Sequence, residues 1–249
     1  FLDSHLQVVS FRFSIRFRLL LIAALLFVFV IPSSAFADQA SDDYKLAQAH
    51  YARKRWPFAE EAFQKFLADH PKHPLSPLGN FYLGLVRVNL KKYSQARSTL
   101  ENFIRKFPNS KEVPHAKYRV GECSYHLKEY ARASKEFDAF VTAHAKDPFN
   151  EWAWAYLGDS QRHLQKYNDA IRSLNKSLDL FPKGRMADEA RFGLAESNLA
   201  LKKTDEALKI YRQLANNETS GRAASAQLQI GNILFGKGAY RDAATEYSS

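Results

Sequence analysis

A short pattern of small and bulky residues recurs six times along this 249-residue chain at nearly constant spacing. Its anchor is an alanine, and successive anchors lie 37, 37, 37, 37 and 36 residues apart. Twelve residues before each anchor stands another small residue, and four residues after it stands a bulky apolar one. The anchors are Ala59, Ala96, Ala133, Ala170, Ala207 and Ala243. So many columns held in step identify a repeat protein.

Each repeat predicts two antiparallel helices. The small residues let the two backbones approach, and the bulky residues fill the surrounding space at i, i+3 and i+4. Pro71, Pro108 and Pro182, each twelve residues after an anchor, are expected to end second helices. Pro57 falls where a second helix can begin. Because one hairpin cannot bury its own apolar face, we expect the repeats to stack into an all-α solenoid.

In its residues the pattern resembles the tetratricopeptide repeat (TPR) family. The resemblance covers residues 40–249 and rests on small residues at the eighth and twentieth positions, an aromatic near the seventeenth and a proline near the thirty-second. The period departs from the family, since the usual repeat has about 34 residues. We expect the three extra residues to add one turn at the start of each first helix, with Ser110 as N-cap. The longer period is most similar to bacterial envelope TPR proteins, the BamD-type outer-membrane assembly lipoproteins and the periplasmic partner of the Tol–Pal machinery.

The first 37 residues are of a different kind. Arg12, Arg16 and Arg18 precede an unbroken apolar run over residues 19–31, and Ala35-Phe36-Ala37 follows as a small-residue site. A positive region, an apolar core and such a site are typical of a secretory signal peptide. The alternative is an uncleaved signal anchor, because the stretch through Ala37 approaches the length that spans a bilayer. Either interpretation predicts an exported protein of the periplasm or cell envelope.

The predicted organisation is therefore a leader over residues 1–37 and six TPR-like repeats over residues 38–249. The chain begins with Phe1 rather than methionine, and Ser249 falls inside the second helix of the sixth repeat. We expect a chain that is a fragment at both ends, with the sixth repeat truncated.

The residues predict no catalysis, no cofactor and no metal. His70 and His73 stand in a proline-bearing inter-repeat segment without further ligands, which favours a solvated loop over a metal site. The chain's one cysteine, Cys123, stands beside Gly121, where a small buried residue is expected. The sequence has no phosphate-binding glycine loop and no Cys/His metal pattern.

A positive charge is the feature that could point to nucleic acid. Without the leader the chain has 33 Lys and Arg against 25 Asp and Glu, a net charge of +8. The basic residues are interpreted as spread over turns and helix exteriors without a continuous stripe, for example at Lys91, Lys128 and Lys202. An exported chain does not meet most nucleic acid, so we expect no nucleic-acid partner. The alternatives are a merely solvated basic surface, which we favour, and association with a membrane or an anionic envelope polymer.

The family resemblance also implies where a partner binds. In TPR proteins the first helices line the concave wall, with their fifth, ninth and twelfth positions facing inward. Carried over, these positions predict a partner-binding surface formed by Tyr118, Glu122, Tyr125, Asp159, Arg162, Phe192 and Glu196. Three of them are acids stacked in adjacent repeats, and their mutual repulsion would favour a partner that supplies Lys or Arg. The alternative is that the aromatics only pack between repeats.

The sequence thus predicts a non-catalytic scaffold of the bacterial cell envelope that binds a partner peptide or helix on the concave face. An alternative of another class is an envelope surface protein that binds anionic glycan or lipid through its basic exterior. Ionic strength separates the two, because binding through exterior charge weakens steeply with salt. The residues specify neither the partner nor an oligomeric state.

Overall fold

The computed structural model describes the backbone of residues 33–248 and the side chains of residues 39–248. The chain divides into two units, residues 1–42 and residues 43–249. Of the first unit only residues 33–42 are described, and they are helical. The apolar run of the predicted leader lies outside the described residues, so the leader stays a prediction.

Residues 33–248 form twelve α-helices and no strand. The helices are α1 (Ser33–Ala52), α2 (Trp56–Asp69), α3 (Ser76–Asn89), α4 (Tyr93–Lys106), α5 (Val113–His126), α6 (Tyr130–Ala143), α7 (Asn150–His163), α8 (Tyr167–Leu180), α9 (Ala187–Ala200), α10 (Thr204–Ala215), α11 (Ala223–Gly236) and α12 (Tyr240–Ser248). Odd-numbered helices are the first helices of the repeats and even-numbered helices are the second. The predicted all-α solenoid of helix pairs is confirmed.

Helix and loop lengths explain the period of 37. Helices α3 to α9 each have 14 residues. Three residues join the helices of a repeat, as in 90–92, and six residues join one repeat to the next, as in 107–112. The fifth repeat has a 12-residue second helix and a longer loop, 216–222, which accounts for its spacing of 36.

The three extra residues lie in the inter-repeat loop, so the prediction of an added helical turn was wrong. Helix α5 begins at Val113, and Ser110 is not its N-cap. Two successive tight turns fill the loop, with Ser110 N–H donating to Phe107 O at 3.0 Å and Val113 N–H donating to Ser110 O at 3.1 Å. The Ser110 hydroxyl instead donates to the carboxylate of Glu112. A proline after α4 favours these turns over a longer helix.

The column of anchor alanines is buried throughout, with exposures of 0 or 1 %. In the four repeats whose first helix has glycine at the small position, that glycine faces the bulky residue of the second helix. A Cβ on Gly158, for example, would lie 2.5 Å from Cγ of Leu174, and one on Gly231 would lie 2.5 Å from Cε1 of Tyr247. Such distances leave no room for a larger residue. The small columns therefore set the separation of the paired helices.

The repeats stack in sequence, and their first helices form the inner face. Each helix from α2 to α12 packs on its neighbours in the chain. Among the described helices of the second unit, the closest approaches between non-consecutive helices are those of α3 with α5, α5 with α7 and α7 with α9. Because first helices approach one another most closely, they lie on the inner side of the curve.

The turns inside the repeats share one backbone conformation. Their middle residue has a positive φ, between 55° and 62° at Lys54, Lys91, Lys128, Gln165 and Lys202. Gly238 occupies the same position in the sixth repeat with a φ of 78°. A left-handed residue closes the first helix and reverses the chain within three residues. Five of the six turns do this with a residue that is not glycine.

Candidate functional site

The seven residues of the predicted partner surface lie on α5, α7 and α9, the first helices of three successive repeats. The structure brings five of them together around one groove: Tyr125, Asp159, Arg162, Phe192 and Glu196. The other two, Tyr118 and Glu122, lie outside it.

Tyr118 belongs to the core. Its side chain is 2 % exposed, and its ring stacks on Phe149 at 4.5 Å and contacts Phe140 at 5.9 Å. A residue so enclosed by neighbouring helices does not present its ring to a partner. For Tyr118 the alternative interpretation, packing between repeats, describes the structure.

Glu122 is held by an arginine of its own helix. Arg119 Nη1 donates to Glu122 Oε2 at 2.8 Å, and Arg119 Nε donates to Nε2 of His115 at 3.1 Å. The guanidinium also lies over the rings of Tyr118 and Phe149, at 5.3 and 5.6 Å from their centroids. Burial, reinforced by the charge of Arg119, lowers the pKa of His115 to about 4. The neutral imidazole therefore accepts the hydrogen bond from Arg119.

A chain of polar contacts links three repeats across the inner face. The Tyr125 hydroxyl donates to Asp159 Oδ2 at 2.6 Å. Arg162 Nε donates to Asp159 Oδ1 at 2.9 Å, and Arg162 Nη1 lies 3.1 Å from Glu196 Oε2. One guanidinium thus serves two carboxylates from successive repeats. Burial, followed by the charge of Asp159, raises the pKa of Tyr125 and keeps its phenol protonated as a donor.

These contacts correct the expectation of unrelieved repulsion among the stacked acids. Glu122 pairs with Arg119, while Asp159 and Glu196 share Arg162. Burial raises the pKa of Glu196, and the charge of Arg162 offsets that rise only in part. Its side chain is also the most exposed, at 33 % against 12 % for Glu122 and 23 % for Asp159. Glu196 is therefore the carboxylate that is open to a cationic group.

Phe192 forms the apolar wall next to Glu196. Its ring contacts Tyr211 at 5.5 Å, and the guanidinium of Arg222 lies 5.0 Å from its centroid. Arg222 comes from the loop that precedes α11 and forms an ion pair with Glu189. Arg222, at the end of the loop between the fifth and sixth repeats, thus completes one end of the groove.

The inner groove has a volume of about 560 Å³. Apolar, acidic and basic side chains alternate along it, with Glu189 and Glu196 near Arg162 and Arg222. Its lining is Tyr125, Ala155, Tyr156, Asp159, Arg162, His163, Met186, Glu189, Phe192, Gly193, Glu196 and Arg222. A groove of this size and mixed character suits a few side chains of an extended segment or one face of a helix.

Sequence reasoning missed several of these residues. Arg119 could have been found, because it stands three residues before Glu122 on a helix, a spacing at which opposite charges pair. Arg222 and Met186 come from inter-repeat loops, and only the stacking of the repeats brings them to the groove. Tyr156 stands at a position the repeat pattern does not mark, yet its ring lies 4.6 Å from that of Tyr125.

Cys123, His70 and His73 lie outside the inner groove. Cys123 is a fully buried free thiol, and burial raises its pKa to about 12. His70 lies 2.9 Å from Asp43 and packs on Phe66, so the loop that holds it is partly buried. Within the described residues, no group of three or more His, Cys, Asp or Glu could hold a metal ion. Over the same residues, no helix is both long and apolar enough to cross a membrane.

The chain matches models of a known protein family. Two models described as tetratricopeptide repeat match the chain, one over residues 81–150 and 156–221 and the other over residues 43–73. The first alone covers more than half of the chain. The chain belongs to the tetratricopeptide repeat family. Proteins of this family present solenoid surfaces to other proteins, so the TPR fold implies a protein partner.

Solved structures show the same fold at low identity. MamA (residues 41 to the end) from Desulfovibrio magneticus RS-1 is 21% identical, with a TM-score of 0.62, over 71% of this chain and 93% of that one. A tetratricopeptide repeat protein from Parabacteroides merdae ATCC 43184 is 16% identical with a TM-score of 0.68, over 84% and 77%. The apo form of RapI is 16% identical with a TM-score of 0.65, over 81% and 60%. No curated protein sequence matches the chain. The similarity to BamD-type and Tol–Pal-associated proteins stays a prediction.

Proposed function

We propose that this TPR protein is a non-catalytic scaffold of the bacterial cell envelope, and that its inner groove binds an extended peptide or helix of a partner protein. The observation that carries the proposal is the convergence of Tyr125, Asp159, Arg162, Phe192 and Glu196, from three repeats, on one groove of the inner face.

The groove favours a partner segment with one basic and one apolar side chain. Glu196 is under-compensated, since the single guanidinium of Arg162 serves both it and Asp159. A Lys or Arg of the partner would complete its pairing, while Phe192 and Tyr156, which also line the groove, offer apolar contact. A charged contact that is partly removed from water contributes more to specificity than an exposed one.

Photo-crosslinking in cells tests the groove directly. A photoreactive amino acid replaces Phe192, and in a matched control it replaces Lys135, which is exposed on the second helix α6. We expect a discrete protein adduct from position 192 and none from position 135. The same adducts from both positions, or adducts from position 135 alone, would contradict binding in the groove.

The envelope assignment rests on the sequence of the leader. The arginines, the apolar run over residues 19–31 and the Ala35-Phe36-Ala37 site support export. A reporter fused after Ser249 should be active outside the cytoplasm. A fusion that is active only in the cytoplasm would refute export and leave the groove proposal to the crosslinking result.

A further inference from the structure

The three-residue turns inside the repeats lie side by side at one edge of the solenoid. Tyr93, which directly follows the turn 90–92, stacks at 4.5 Å on His126, which directly precedes the turn 127–129. Tyr130 and His163 repeat the contact at 4.1 Å between that turn and the next, 164–166. We call the six turns together the turn edge: residues 53–55, 90–92, 127–129, 164–166, 201–203 and 237–239.

The turn edge is strongly and unevenly charged. It carries ten basic residues and one acidic residue, Glu129. The basic residues are all exposed: Arg53, Lys54, Arg55, Lys91, Lys92, Lys128, Lys166, Lys202, Lys203 and Lys237. The five inter-repeat loops at the opposite edge carry six Lys or Arg and three Asp or Glu. Ten of the 33 basic residues outside the leader thus lie on this one edge, and two of them form ion pairs, Lys92 with Glu60 and Lys237 with Asp205.

Lysine at the middle of these turns has no evident role in folding. Lys54, Lys91, Lys128 and Lys202 have a positive φ, which glycine adopts with less strain, as Gly238 does in the sixth turn. All four are exposed, and within the described part of the chain none forms an ion pair. All four positions are strained and still carry a lysine that faces solvent. This indicates that these lysines have a role outside the fold.

Aromatic side chains stand beside the charges. The residue after the turn is Trp56, Tyr93, Tyr130, Tyr167 or Tyr240 in five of the six repeats. Of these five, Tyr240 is 64 % exposed and the other four are half-buried, and near the first turn Phe58 is 59 % exposed. Trp and Tyr next to Lys and Arg are the side chains that lie at the headgroup level of a bilayer.

We propose that the turn edge docks on the surface of a bilayer rich in anionic phospholipid. Headgroups of that charge attract clustered Lys and Arg within a Debye length of the surface. The turns protrude at the ends of the helices, and no turn residue lines the inner groove. Because the turns of successive repeats lie side by side, an extended anionic surface such as a bilayer can meet the charges of several turns at once. Docking of this kind leaves the inner groove open to a protein.

Vesicle co-sedimentation of the full chain tests the proposal. The vesicles contain either equal parts of phosphatidylglycerol and phosphatidylcholine or phosphatidylcholine alone. The turn variant carries Lys54→Asn, Lys91→Asn, Lys128→Asn and Lys202→Asn. Asparagine is neutral and tolerates a positive φ, so this variant is expected to fold like the parent. A matched loop variant carries Lys72→Asn, Lys111→Asn, Lys146→Asn and Lys183→Asn, four exposed lysines of the opposite edge.

We expect the turn variant to bind phosphatidylglycerol vesicles at least tenfold more weakly than the parent, and the loop variant to stay within twofold. Both variants share the leader and the same net charge, so only the edge differs between them. Equal loss in the two variants, or no loss in the turn variant, would overturn the proposal. Binding of the parent to heparin without binding to phosphatidylglycerol vesicles would also overturn it, in favour of an anionic polymer.

Discussion

The hydroxyl of Tyr125 donates a 2.6 Å hydrogen bond to Asp159, which lies 34 residues later on the first helix of the next repeat. The contact fixes the ring of one repeat against the carboxylate of the next, within the wall of the inner groove. Arg162 extends it to Glu196 in a third repeat. The groove is thus held in shape by contacts between repeats before any partner binds.

Removing that hydrogen bond should loosen the junction between the third and fourth repeats. Tyr125→Phe is expected to lower the free energy of unfolding by about 1–2 kcal/mol, because the acceptor is a partly buried carboxylate. Tyr130→Phe is the matched control, since within the described residues its hydroxyl makes no hydrogen bond. Chemical denaturation of both variants measures the difference. Equal midpoints would show that the contact does not stabilise the junction.

The positions of the repeat that hold glycine or alanine should tolerate no larger side chain. Gly158→Ala places a methyl group 2.5 Å from Cγ of Leu174 and 3.2 Å from its backbone nitrogen, and we expect a loss of about 1–3 kcal/mol. Ala133→Leu and Ala170→Leu should cost as much. Gly236→Ala is the control, because a Cβ there meets nothing within 4 Å. Thermal melts in which Gly158→Ala matches Gly236→Ala would contradict the assigned packing.

The strain in the turns predicts that a Lys→Gly substitution changes the free energy of unfolding in opposite directions in a turn and in a helix. Lys128→Gly should raise the free energy of unfolding by roughly 0.5–1 kcal/mol, because glycine adopts a φ of 61° with less strain. Lys117→Gly, at an exposed position inside α5, should lower it by about 1 kcal/mol. Denaturation of the two variants under the same conditions provides the comparison. A destabilised Lys128→Gly would mean that the lysine contributes to folding.

His115 predicts a specific dependence of stability on pH. Its pKa falls from 6.5 to about 4 in the folded chain, so below pH 6.5 the unfolded chain takes up the proton first. The stability that this group provides is present above pH 6.5 and is lost as the pH falls toward 4, by at most about 3 kcal/mol. His115→Gln keeps an acceptor for Arg119 and should flatten the profile in this window. Parallel profiles for parent and variant would contradict a buried neutral imidazole.

Much of the fold could be predicted because the residues of each repeat determine how its two helices pack and where they end. The anchors such as Ala133 and the prolines such as Pro108 determine where helices pack and where they end. The loop around Ser110 was predicted wrongly because an added helical turn and two tight turns have the same length in residues. Only the backbone hydrogen bonds to Phe107 and from Val113 distinguish the two.

The site was predicted in part, for a physical reason. Glu122, Asp159 and Glu196 share a position in the repeat, so their common face followed from the period alone. Arg119 could be found from its spacing of three residues to Glu122. Arg222 could not, because it comes from a loop whose place is set by the stacking of the repeats. Tyr118 is not part of the partner-binding surface, because the ring of Phe149, from the next inter-repeat loop, covers it.

The affinity of the crosslinked partner segment for groove variants tests the central claim most directly. Fluorescence anisotropy would compare the parent, a groove variant with Phe192→Ala and Glu196→Gln, and the turn variant with its four asparagines. The groove variant should bind at least tenfold more weakly, since it loses one apolar and one charged contact, and the turn variant should bind like the parent. Equal affinity of the groove variant and the parent would contradict recognition in the inner groove.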